Sequence, residues 1–66
     1  MLISVNGEKL EVSPDSTIED ILDLLEISKE RLAVEKNGEV LARKKVFSTV
    51  LLEGDKLEIV KAIGGG

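Results

Sequence analysis

Residues 2–12 read LISVNGEKLEV. Apolar and polar positions alternate on both sides of Asn6-Gly7. Met1, Ile3 and Val5 fall on one side of residues 1–6, with Leu2 and Ser4 on the other. Leu10 and Val12 carry the apolar side of residues 8–13. A period of two marks a half-buried strand, and Asn-Gly is favoured in two-residue type I′ turns because both positions need positive φ. The stretch predicts a β-hairpin. Pro14 ends it, since proline cannot donate to a ladder.

The pattern then changes period. In STIEDILDLLEI, residues 16–27, Ile18, Ile21, Leu22 and Leu25 recur at i, i+3, i+4 and i+7, while Glu19, Asp23 and Glu26 take the other side. This spacing predicts a helix over residues 17–26. Ser16 and Glu19 match a capping box, and Asp15, Glu19 and Asp20 suit the positive end of the helix dipole. A polar connection at 28–31 leads to a second hairpin, LAVEK and EVLA flanking Asn37-Gly38. The segment 43–55 predicts a helical turn with Val46, Phe47 and Val50 packing inward, then a turn at Glu53-Gly54-Asp55. KLEIVKAI forms the last strand, with Leu57 and Ile59 on one face.

One helix cannot cover both faces of such a sheet. The chain is therefore expected to be α+β, a mixed four- to five-stranded sheet with one main helix across one face. The other face meets water or a partner. Ile59 toward the helix puts Leu2, Val60 and Ala62 on that open face, a candidate docking patch set against ordinary scattered apolar surface.

Composition narrows function by exclusion. The 66 residues suit one small domain. There is no His and no Cys, so no Ser-His-Asp triad, no thiolate nucleophile, no disulfide and no His-assisted metal site. No Walker A or EF-hand spacing occurs. Thirteen acidic against nine basic residues give a net charge of −4, which disfavours nucleic acid. No stretch is long enough to span a membrane, and the start lacks a signal-peptide pattern, so a cytoplasmic protein is expected. Glu19/Asp23 reads as a solvated helix face rather than an acid–base pair. Arg43-Lys44-Lys45 reads as solvated loop charge, with docking to an acidic partner surface as the alternative.

Gly7, Gly38 and Gly54 sit at predicted turns; Gly64, Gly65 and Gly66 do not. A domain over 1–63 followed by a flexible glycine tail over 64–66 is expected. Without Cβ atoms, such a tail can thread a channel closed to other residues. Its α-carboxylate can attack the α-phosphate of ATP, which another protein must hold because this chain has no phosphate cradle.

These features carry a resemblance over the whole chain. ISVNGE, IEDILDLL, AVEKNGEVLAR and LLEGDKLEIVKAIGGG resemble the ubiquitin-like (β-grasp) sulfur carriers, and more narrowly the ThiS family of thiamine thiazole biosynthesis. The third glycine, Gly64, is a departure that leaves the reacting group unchanged. The resemblance implies a co-substrate rather than an enzyme. An E1-like (ThiF-like) adenylating enzyme would use MgATP to activate Gly66. Sulfur from a cysteine persulfide would then give a thiocarboxylate, and a ThiG-like thiazole synthase would use it. Gly64 and Gly65 would thread the tail. Two alternatives share the same tail: a molybdopterin-synthase small subunit, whose chains are usually longer and richer in aromatics, and a protein modifier forming isopeptide bonds.

Overall fold

A computed structural model describes residues 1–61. Five strands form one mixed sheet: β1 (Leu2–Val5), β2 (Glu8–Glu11), β3 (Leu32–Lys36), β4 (Glu39–Val40) and β5 (Lys56–Lys61). Their order is β2-β1-β5-β3-β4. The last strand therefore lies at the centre, parallel to β1 and antiparallel to β3. This is the expected mixed α+β sheet, and the structure sets its first and last strands side by side.

Local chemistry makes both hairpins. Asn6 and Gly7 have φ of 51° and 85°, and Asn37 and Gly38 have 53° and 85°. Paired positive φ is the type I′ signature, whose twist matches that of the flanking strands. Ile3 and Val5, Leu32 and Val34, and Leu57 and Ile59 all point to one face and are buried.

Helix α1 (Ile18–Leu24) covers that face with Ile18, Ile21 and Leu22, all buried. Its cap differs from the expected one by one residue. Thr17 is the N-cap: its hydroxyl accepts the Asp20 N–H, and the Asp20 carboxylate accepts the Thr17 N–H. Ser16 is engaged elsewhere. Its hydroxyl donates to the Ser13 carbonyl at 2.6 Å, and its own carbonyl accepts from Leu51 N at 2.8 Å. That second bond belongs to a bridge between Thr17 and Val50, so a contact distant in sequence chose between two equivalent capping boxes.

The helix also ends earlier than expected. Ile27 N–H donates to the Leu22 carbonyl and Glu26 N–H to that of Asp23. With Glu26 at φ 56°, this is a Schellman closure. Leu25 becomes the C-cap and is left 39% exposed, and Ile27 packs against the core instead.

Between β4 and β5, helix α2 (Arg43–Val46) buries Val46, and Phe47 is half-buried against the core. Val50 does not pack inward. It is exposed, and Leu51 is buried in its place, because an extended bridge alternates sides.

Candidate functional site

The site of interest is the root of the tail, where β5 ends. β1 supports β5 only up to the Asn6-Gly7 turn, so the end of β5 would lose a neighbour on that side. The Asn6 side chain takes the place of the missing strand. Its Oδ1 accepts from Ile59 N at 2.7 Å, and its Nδ2 donates to the Ile59 carbonyl at 3.2 Å. On the other side, β3 pairs with β5 through to Leu32 opposite Lys61. The tail thus leaves a strand held on both edges.

The other end of β5 is held by a second amide. Asn37 Oδ1 accepts from Lys56 N at 2.9 Å, and its Nδ2 donates to Asp55 Oδ1 at 3.0 Å. Asp55 Oδ2 accepts from Leu52 N at 2.9 Å, and Lys36 Nζ lies 3.9 Å from it. Burial alone would raise the Asp55 pKa. The Asn37 amide, the Leu52 N–H and the Lys36 charge outweigh burial and hold it below the ordinary value.

On the open face, Leu2 and Val60 are both exposed, as expected. The sheet does not bring them together. Ser4 pairs with Lys56 and Gly54 N donates to the Leu2 carbonyl, so Leu2 is level with residue 54. Val60 is six residues further along, about 20 Å away at strand rise. Only Val60 borders the tail root, opposite Ala33. One row back, Glu35 lies directly opposite Glu58, a like-charge pair that opposes sheet stability. Ala62, Gly64, Gly65 and Gly66 lie outside the described residues, as does the boundary expected at residue 63.

On the helix side of the root, Arg31, Arg43 and Lys61 line one open basin with Ser28 and Glu30. Lys61 Nζ is 3.4 Å from the carbonyls of both Ser28 and Glu30. Arg43 belongs to the basic run noted in the sequence. Arg31 and Lys61 carry no local signal, because only sheet pairing brings residues 31, 43 and 61 to one end. The Asn6 and Asn37–Asp55 clamps carry no local signal for the same reason.

Among the described residues, no group of three or more His, Cys, Asp or Glu is placed to hold a metal ion. The exposed acids of α1 do not form an acid–base pair. Glu19 and Asp23 both bind Lys29 at 3.0 Å, and the Asp23 and Glu19 hydrogen bonds raise the Lys29 pKa. No helix among the described residues is long and apolar enough to cross a membrane.

Comparison with known proteins agrees with this architecture. A crystal structure of the thiamine biosynthesis protein ThiS from Geobacter metallireducens superposes with a TM-score of 0.83, at 33% identity and over 100% of both chains. The sulfur carrier protein ThiS of Bacillus subtilis is 29% identical over 98% of this chain and 100% of its own. A thiazole synthase of Paramagnetospirillum magneticum is 38% identical over 100% of this chain, which spans only 20% of that protein's length. The model of the ThiS family matches residues 2–66. The chain, with its β-grasp sheet, belongs to the ThiS family of sulfur carriers.

Proposed function

We propose that this sulfur carrier serves thiazole formation in thiamine biosynthesis through the carboxylate of Gly66. An E1-like enzyme binds MgATP. The Gly66 carboxylate attacks the α-phosphorus and pyrophosphate leaves, giving an acyl-adenylate. The terminal sulfur of a cysteine persulfide attacks the acyl carbon and AMP leaves. A thiol then cleaves the resulting acyl disulfide, forming a new disulfide and releasing the thiocarboxylate. Thiazole synthase takes the sulfur from it. The carrier itself is a cytoplasmic co-substrate, and its own residues bind no cofactor.

The observation that carries this reading is the match to the ThiS family from residue 2 through Gly66. A thiazole synthase that includes a segment like this chain supports the link to that enzyme. The strand that precedes the glycines is the central one, a firm base from which to push a tail into a channel.

Intact mass tests the chemistry. After incubation with the adenylating enzyme, MgATP and a persulfide donor, the carrier should gain the difference between one sulfur and one oxygen. Lysine conjugates in place of that product would overturn it. Gly65→Ala should leave the unfolding midpoint unchanged and sharply reduce ATP–pyrophosphate exchange, since a Cβ meets walls shaped for bare backbone. Deleting Gly66 draws the carboxylate back by about 3.3 Å and should cost on the order of a hundredfold in rate. Gly64→Ala, nearer the sheet, should be milder.

A further inference from the structure

We infer that Arg31, Arg43 and Lys61 form a cationic rim at the root of the tail, and that this rim docks an acidic surface around the channel mouth of the adenylating partner. The inference rests on the reading of the tail as that partner's substrate. Three elements build the rim. Lys61 ends β5, Leu32 lies opposite it at the start of β3, and Arg31 immediately precedes Leu32. Arg43 opens α2, which follows β4. All three cations line one basin, and among the described residues the only acidic side chain there is Glu30.

The cluster is unusual for this chain. The net charge is −4, yet three cations share one basin. Among the described residues, the ion pairs are those of Lys29 with Glu19 and Asp23, and of Lys36 with Asp55. None of the rim cations has such a pair with a described residue. Gathering like charges without counter-ions opposes folding slightly, and it creates a local field that steers an oppositely charged surface.

The reach of the tail decides what that surface is. Five residues, 62–66, follow Lys61 and span at most about 18 Å when extended. A tail drawn straight through a narrow channel puts the α-phosphate near that limit, beyond any arginine or lysine side chain rooted at the base. The rim therefore faces the protein surface where the tail enters, and complementary chemistry there means Asp and Glu side chains.

The test is ATP–pyrophosphate exchange by the adenylating enzyme of the same organism, with carrier concentration varied. Arg31→Glu/Arg43→Glu should raise the KM for the carrier about tenfold at low salt and leave kcat within about twofold, as expected for a rim charge that acts on encounter. The difference should shrink at about 0.5 M salt, where screening is nearly complete. Arg31→Lys/Arg43→Lys should keep the wild-type KM. Lys9→Glu/Lys56→Glu, the same net change placed elsewhere on the sheet, should also keep it. Thermal melts confirm that each variant is folded. A wild-type KM for the Glu variant would overturn the rim and leave the tail chemistry standing. An equal rise in the Lys9/Lys56 variant would overturn it too, by showing that net charge alone matters. Absence of exchange with the wild-type carrier would overturn both readings.

Discussion

Asn6-Gly7 and Asn37-Gly38 are the same dipeptide in the same conformation, each turning a hairpin, yet their side chains do different work. Asn6 reaches across to the main chain of Ile59 and bonds both its N–H and its carbonyl. Asn37 accepts from the main chain of Lys56 but donates to a carboxylate, Asp55. One clamp extends a strand with a neutral amide; the other completes the solvation of a buried charge. Both hold β5, one near its tail end and one at its start. Identical turns therefore do not imply identical tolerance to change.

Replacing the amide by a carboxylate should separate the two clamps most widely. Asn37→Asp sets two carboxylates about 3 Å apart in place of a 3.0 Å hydrogen bond, and should cost about 3 kcal/mol at pH 7. Acidification should recover part of the loss as one of the pair takes up a proton. Asn6→Asp still accepts from Ile59 but turns an anion toward its carbonyl, and should cost about 1–2 kcal/mol, with weaker dependence on pH. Urea midpoints at pH 7 and 5 measure both. Equal losses with equal pH dependence would break the comparison.

A smaller effect sharpens the charged clamp alone. The Asp55 pKa is lowered on folding, so the unfolded chain takes up the proton first, at about 3.9. The stabilisation from ionised Asp55 is present above that pH and is lost as pH falls through the folded value. Asp55→Asn should cost about 1–3 kcal/mol at neutral pH, with the gap to wild type closing below about pH 4. A gap that stays constant down to acid would show that hydrogen-bond geometry matters here and charge does not.

The smallest effects should be equal. Gly7 and Gly38 both have φ of 85°, and an added Cβ would meet nothing within 4 Å at either. Gly7→Ala and Gly38→Ala should each cost about 1 kcal/mol, from the left-handed backbone alone. Unequal midpoints would mean that the turns differ in their own conformational needs as well as in their clamps.

The sequence by itself determined the hairpins, the helix and the in-or-out pattern of β1, β2 and β5. Those rest on short-range rules: alternation, the i, i+3, i+4 stripe, and positive φ at Asn-Gly. It also pointed to the glycine run, because Gly64, Gly65 and Gly66 fall at no turn signal. Tertiary structure decided the choices that local rules left equal. Ser16/Glu19 and Thr17/Asp20 both fit a capping box, and the bridge to Val50 selected the second. Val50 and Leu51 competed for the core, and the phase of the same bridge buried Leu51. Leu2 and Val60 share a face in the alternation, but the parallel register of β1 and β5 sets them at opposite ends. Arg31, Arg43 and Lys61 meet only because β3 and β5 are paired and α2 follows β4. Hydrogen bonds and charges between residues far apart in sequence have no local periodicity, so only the folded sheet reveals them.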